Sequence, residues 1–246
     1  MSQAPIISIE GVIGVGKSTL CEKLQKKGYW VSDEPVKEWL ETKDENGKNI
    51  LDYLYTDIIK FGFPMQIFAF ISKSKMLMET LAKSEDKKPI FVERCIYTDK
   101  ECFAKNLRNS GLMSDIEWII YEKCFEYITS TFSPKVPEPD AYIYMRTSDI
   151  DCVMDRIKKR GRESEASIKA DYITSLHKSH DEWLYVGESE PESEPESEGK
   201  NDEEEKKRKE KKPVLIIDVS KDEMKDDNLW EDIIEKIEIW SETIRK

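Results

Sequence analysis

The chain contains no hydrophobic run near the roughly 18 residues that a membrane span requires, so no membrane partner is expected. A secretory leader is not expected either. The first strand-like run begins by about Ile6, which leaves no room for a charged segment followed by an apolar one. The same crowding argues against a mitochondrial transit peptide. Cysteine is sparse: Cys21, Cys95, Cys102, Cys124 and Cys152 are odd in number and form no C-x-x-C pair. Neither a disulfide framework nor a thiolate metal site is therefore expected, and reduced thiols in a cytoplasmic protein are. Of histidines there are only His177 and His180. They could share a helix face, but two imidazoles without a neighbouring Cys or carboxylate cluster make a poor metal site, and structural roles are expected. Positive charge is also short. A formal net charge of −12 speaks against a generic nucleic-acid binder, because a phosphate backbone demands basic surface.

What is present begins at the amino terminus. The apolar run Ile6 to Ile9 leads into Glu10, then Gly11-Val12-Ile13-Gly14-Val15-Gly16-Lys17-Ser18-Thr19, and a helical pattern comes next. This is G-x-x-x-x-G-K-S between a strand and a helix, the context a phosphate-binding loop needs. Glycine permits backbone angles and close approach that a Cβ forbids. The loop N–H groups and the helix dipole then face an anion. Lys17 supplies a point charge to the outer phosphates, and the Ser18 hydroxyl is placed to ligate Mg²⁺. Binding of a nucleoside triphosphate such as ATP is the expectation.

At 246 residues the chain suits one large domain. Helices are expected over 19–27, 50–59, from Pro64 to about Lys83, 97–107, 115–132, 148–159, 167–185 and 229–245. Strands are expected at 6–9, 29–31, 89–92, 140–145 and 214–217. Strands alternating with helices imply an α/β fold with a parallel, doubly wound five-stranded sheet flanked by helices. The stretch from about 187 to 212 does not belong to that plan. It carries Glu-Ser-Glu-Pro repeats, the acidic run Asp202 to Glu205 and the basic run Lys206 to Lys209. Apart from prolines it holds no apolar side chain to offset its ordering entropy, so it reads as a disordered insertion within the single domain. Its 11 acids and 7 bases give −4, leaving −8 for the remainder. A solvated loop is the plain reading; nuclear import through the basic run, or phosphorylation at Ser189 and Ser193, are the specific alternatives.

In an open parallel sheet, ligands bind beyond the carboxyl ends of the strands. Three predicted strands deliver functional residues there: the phosphate loop, then Glu34 just before Pro35, then Glu93-Arg94. One carboxylate beside a Mg·ATP site can serve the metal and another can act as general base for an acceptor hydroxyl. Arg156, Arg160 and Arg162, at the end of a helix with Gly161 among them, suit an arginine-rich lid over transferring phosphate.

These residues resemble a family. Ile9-Glu10-Gly11 through Ser18, Glu34-Pro35-Val36 with Trp39, Phe91-Val92-Glu93-Arg94 with Tyr97-Thr98-Asp99, and Arg160-Gly161-Arg162 are similar to the cellular deoxynucleoside kinases, which include deoxycytidine, deoxyguanosine and insect-type multisubstrate enzymes. The similarity runs from about Ile6 to Tyr185 and resumes at Val214. It implies a P-loop kinase that phosphorylates a deoxynucleoside 5′-hydroxyl from ATP with Mg²⁺, in nucleotide salvage, and a homodimer through the long helix from Pro64. Glu34 then looks like the general base, and Arg94 the group that holds the hydroxyl end and stabilises developing charge. Ser18 and Glu93 serve the metal. Tyr55 and Glu165 match the pair on the sugar 3′-hydroxyl, and Gln66 matches the amide that pairs with the base edge. Trp39 and Phe103 match the aromatic slot for the base. Arg156, Arg160 and Arg162 match the lid.

Two departures bear on specificity. Deoxycytidine- and deoxyguanosine-type members flank the base with an Arg–Asp pair; here Asp99 is present but its partner position is Lys73, which cannot reproduce the planar fork of arginine. Thymidine-accepting members lack a charged pair, so deoxycytidine or a purine deoxynucleoside is the expected substrate. After Val219 the sequence reads Asp222-Glu223-Met224, where some members stack an aromatic on the donor base. Two rivals remain: a nucleoside-monophosphate or other small-molecule kinase, whose acceptor phosphate Glu34 and Glu165 would repel, and a catalytically inactive structural member of the family, which has no reason to keep the full constellation.

Overall fold

In a computed structural model the residues described are 4–85, 87–131, 134–185, 212–220 and 227–244. Five strands, β1 (Ile6–Glu10), β2 (Trp30–Ser32), β3 (Ile90–Glu93), β4 (Ala141–Arg146) and β5 (Val214–Asp218), form one sheet in the order β2-β3-β1-β4-β5. Every pairing is parallel. This is the α/β architecture the alternation of elements predicts. Register sets Ser8, Val92 and Ser32 side by side, so β1, β2 and β3 end together and discharge their next residues at one rim.

Alternate residues of β1 and β4 face opposite sides, as the two-residue strand period requires. Ile7, Ile9 and Ile143 join Leu20 and Leu24 of α1 (Lys17–Lys26), Val153 and Ile157 of α8 (Ile150–Arg160), and Ile234 and Ile237 of α10 (Asp227–Ile244). Ile6, Tyr142 and Tyr144 join Phe70 and Leu77 of α4 (Ile58–Lys83), Ile96 of α5 (Ile96–Thr98) and Phe125 of α7 (Asp115–Glu126). Each fully buried Ile or Leu contributes about 1.5–3 kcal/mol, so the two faces together hold the sheet between helical layers. A third cluster, Trp39 of α2 (Val36–Glu41), Leu51 and Leu54 of α3 (Ile50–Thr56), and Met65 and Ala69 of α4, walls the rim near β2.

Local structure departs from the sequence reading at several points, the unexpected short helix α2 among them. The long helix begins at Ile58 rather than Pro64. The Asp57 side chain accepts from the Lys60 N–H at 3.1 Å, and Ile58 packs on two apolar clusters. Cap and packing outweigh the proline, which falls in the second turn and leaves the Lys60 carbonyl without its helical donor. The helix expected over 97–107 is broken by a π-helical segment, Asp99–Ala104, between α5 and α6 (Lys105–Asn109), and a second π segment, Tyr127–Thr131, extends α7. Helix α9 (Ala170–Leu184) starts after a short 3₁₀ turn, Glu163–Glu165. Most of the predicted insertion, the phosphorylation candidates Ser189 and Ser193, the basic run and Asp222 to Met224 lie outside the described residues. All five cysteines are unpaired. Among the described residues no helix is long and apolar enough to cross a membrane.

Candidate active site

The glycines of the first loop are required by space as well as by angle. Gly11 has φ 140°, and a Cβ there would lie 2.6 Å from the Met145 carbonyl oxygen; at Gly14 it would lie 2.6 Å from Ile157 Cγ1. Gly16, at φ 110°, is the residue before α1. The loop is thus folded directly against β4 and α8. Lys17 is buried and donates to the carbonyls of Gly11 at 3.1 Å and Val12 at 2.9 Å. Burial, with the charge of Arg94 adding to it, lowers the Lys17 ammonium to about 7.

Beside the loop, Ser18 Oγ donates to Glu93 Oε1 at 2.8 Å. Burial and the charge of Glu34 raise the Glu93 carboxyl. Asp33, which sequence reasoning passed over, brings a carboxylate oxygen near Glu93, and the Cys21 sulfur is close enough that the three ligand atoms lie within 4.8 Å of one another. Burial keeps the Cys21 thiol protonated, so the chemistry offered here is hard oxygen rather than thiolate.

Glu34 lies two residues past β2 and is held from two sides. Arg94 Nη1 donates to Oε2 at 2.9 Å, and Lys73 Nζ lies 3.2 Å from Oε1. Burial pushes the Glu34 carboxyl up, but Arg94, Lys73 and Lys17 outweigh it and hold the group at about 2. Arg94 also donates to the Gly11 carbonyl at 3.1 and 3.3 Å and sits over the Phe103 ring at 5.3 Å. Lys73 makes its shorter contact with Asp99, at 2.6 Å, and lies 5.7 Å from the Trp39 ring centre. Burial pushes the Asp99 carboxyl up to about 6, with Lys73 offsetting part of the rise. Trp39 is fixed by its indole N–H, which donates to Ser72 Oγ at 2.9 Å.

These groups share one cavity of about 580 Å³, whose lining includes Lys17, Ser18, Glu34, Trp39, Tyr55, Gln66, Lys73, Glu93, Arg94, Asp99, Phe103, Arg156, Arg160, Arg162 and Glu165. Ile13 to Thr19 line its other end. Among the sequence-predicted residues only Gly11 and Val12 are not at the wall; they act through the carbonyls that hold Lys17 and Arg94. Two buried acceptors on residues that line the cavity lack a partner, Gln66 Oε1 and Asp99 Oδ2.

At the far side, Arg160 and Arg162 both donate to Glu165, the latter at 2.6 Å. The lid arginines and the carboxylate matched to the sugar therefore meet. Arg156 Nη2 donates to the Val219 carbonyl at 3.4 Å. Residues with no cue in their own sequence context also line the cavity: Tyr172 from α9, whose hydroxyl burial pushes up to about 12, and Lys159 and Trp230. The histidines stand apart. His177 Nδ1 pairs with the Tyr144 hydroxyl at 3.1 Å, while His180 Nδ1 pairs with the Leu176 carbonyl at 2.7 Å and its ring stacks on Tyr144.

A parallel sheet whose first loop has the G-x-x-x-x-G-K-S form suited to phosphate, with a buried, cation-held carboxylate across the same cavity, fits a phosphotransferase for a small acceptor. The comparison with known proteins narrows the class. The deoxynucleoside kinase family pattern matches residues 7–241, and the chain belongs to that family. It is 32% identical over 248 residues to deoxycytidine kinase 2 of Gallus gallus, covering 94% of this chain and 88% of that protein. It is 36% identical over 178 residues to a probable deoxycytidine kinase of Fowlpox virus (strain NVSL), covering 72% and 71%, and 31% identical over 255 residues to deoxycytidine kinase of Mus musculus, covering 97% and 91%.

Proposed function

We infer that the chain transfers the γ-phosphoryl group of ATP to the 5′-hydroxyl of a deoxynucleoside whose base carries an exocyclic amine: deoxycytidine, or a purine deoxynucleoside. The observation that carries the base preference is the pair of unpartnered acceptors, Gln66 Oε1 and Asp99 Oδ2, on residues that line the cavity. Buried acceptors demand donors. An exocyclic amine presents two hydrogens, whereas thymine offers one ring N–H. Lys73 holds Asp99 in a charged pair, and the relatives named deoxycytidine kinase agree with that preference.

In this reading the donor phosphates lie on the N–H groups of 12–19, with Lys17 turning from the loop carbonyls to the outer phosphates. Magnesium, when bound, would supply positive charge to the donor phosphates; Ser18 and Glu93 would hold it, with Asp33 beside them. Tyr55 and Glu165 take the sugar 3′-hydroxyl, and Trp39 and Phe103 enclose the base. Glu34 orients the 5′-hydroxyl and accepts its proton. A carboxylate held this acidic is a weak base, so the proton moves late, when the loose phosphoryl transition state has already acidified the attacking oxygen. Arg94, on Glu34 and beside the attacked phosphorus, stabilises the charge that develops.

Turnover on each of the four deoxynucleosides with Mg·ATP tests the reading. Deoxycytidine or a purine should lead and thymidine trail; product only from monophosphate acceptors would give the chain to the monophosphate kinases, and no product at all to the inactive structural class. Glu34→Gln should lower kcat by about 100-fold or more while ATP still binds, and unchanged turnover would remove Glu34 as the base. Three further readings go with this one. The chain forms one kinase domain, it resides in the cytoplasm, as its unpaired cysteines suit, and a second copy covers the exposed apolar face of α4 and α7.

A further inference from the structure

Glu10, the last residue of β1, has no part in the site above, yet its carboxylate lies directly behind it. The side chain is fully buried, and no lysine or arginine among the described residues bonds to it. Its partners are Ser8 Oγ at 2.6 Å, Thr98 Oγ1 at 2.7 Å from both oxygens, and the Cys95 N–H and thiol at 3.4 and 3.5 Å. Burial raises its pKa. A carboxylate without a bonded cation is a poor way to stabilise a core, and an apolar side chain of similar volume would serve stability better.

What the carboxylate does hold is the segment after β3. Arg94 has φ 54°, the one positive φ outside glycine among the described residues, a strained conformation that persists only where its surroundings fix it. The peptide groups on both sides of it are tied to β1. The Arg94 N–H donates to the Ile9 carbonyl at 3.1 Å, and the Cys95 N–H reaches both Ser8 Oγ, at 3.1 Å, and Glu10. From that backbone the guanidinium reaches Gly11 and Glu34. At the other end of the segment, Thr98 immediately precedes Asp99.

We propose that Glu10 is a positioning residue for phosphoryl transfer: with Ser8 and Thr98 it locks the 94–99 segment onto the end of β1, keeping Arg94 in its left-handed conformation and its guanidinium on Glu34. The kinetic consequence rests on the kinase reading; the geometry does not. Glu10→Gln and Thr98→Val should each lower kcat about 10- to 100-fold, the cost of misplacing a catalytic group by a fraction of an ångström to an ångström. KM for ATP should stay within about twofold, since the lost interaction matters in the transition state. Thr98→Ser, which keeps the hydroxyl, should restore kcat, and the double variant should be no worse than the poorer single one.

A second readout needs no turnover. The Arg94 Nε–H resonance should be protected from exchange in the native chain and in Thr98→Ser, and lose protection in Glu10→Gln and Thr98→Val. If Glu10→Gln does not fold, Thr98→Val and Ser8→Ala carry the test. Variants that melt earlier yet keep native kcat per folded molecule and a native Arg94 signal would overturn the proposal, leaving Glu10 a stability element alone. A native chain inactive on every deoxynucleoside would end the kinase reading, while the Arg94 signal would still decide the clamp.

Discussion

Three carboxylates in one cavity titrate apart because their neighbours differ. Glu93 is raised by burial and by the charge of Glu34. Glu34 is held at about 2 by the cations around it, against its burial. Asp99 is pushed up to about 6, by burial first, despite Lys73. Because the folded value of Asp99 lies above the ordinary 3.8, its ionisation opposes folding at neutral pH, and that penalty is relieved as pH falls through about 6. In binding, an amine donor needs the ionised oxygen. Below about 6 the deoxynucleoside must displace a proton, and its KM should climb, approaching tenfold per pH unit. Glu34 stays ionised across that range and adds no limb to kcat there. KM and kcat measured from pH 8 to 5 check this; a KM flat across the range would remove Asp99 as the base contact. At this scale the sequence was legible wherever a residue carries its own context, as Lys17, Glu34 and the pair Glu93-Arg94 do beside glycine, proline or a strand end. Glu10, Thr98, Asp33 and Tyr172 were not, because their meaning arises only when the sheet brings together positions far apart in the chain.

At the scale of elements, the strands and most helices agree with the periodicity, and the departures come from tertiary packing. Asp57 and Ile58 start α4 ahead of Pro64, and the π segment Asp99–Ala104 interrupts a pattern that reads as plain helix. The extra residue in a π turn rotates the next side chains about the helix axis, a device frequent at functional sites, and here Asp99 and Phe103 both reach the cavity. No local propensity announces such a turn. The phosphate loop makes the sharpest test. Gly11→Ala places a Cβ 2.6 Å from the Met145 carbonyl of β4 and 3.0 Å from Val15 Cγ1, at φ 140°, and the strand carbonyl cannot yield. ATP binding, measured by calorimetry, should be lost and the melting temperature should fall. Gly111→Ala, at φ 68° with nothing within 4 Å, should cost only about 1–2 kcal/mol and leave ATP binding intact. Equal effects at the two sites would refute the close-approach argument.

At the scale of the whole molecule, one apolar face is uncovered by the described residues. Ile116, Ile119 and Ile120 of α7 are 62%, 51% and 44% exposed, and Ile71 of the adjoining α4 is 49% exposed. Scattered apolar side chains are ordinary on a surface, but a stripe at helical spacing beside a second helix is the kind that covers itself with a partner. On the proposed dimer, Ile119→Glu should give a monomer in sedimentation equilibrium at micromolar concentration, with the fold retained; a native chain already monomeric there would remove the dimer. The other large-scale feature is the meeting of Arg160 and Arg162 on Glu165. On the proposed assignment, a sugar hydroxyl reaching Glu165 loosens its grip on the arginines, and phosphates drawing the arginines away leave Glu165 freer for the sugar. Each substrate then raises the affinity for the other by the same factor, as reciprocity of linked equilibria demands. ATP arriving without an acceptor meets arginines still engaged elsewhere, so the same contact guards the nucleotide against being spent on water.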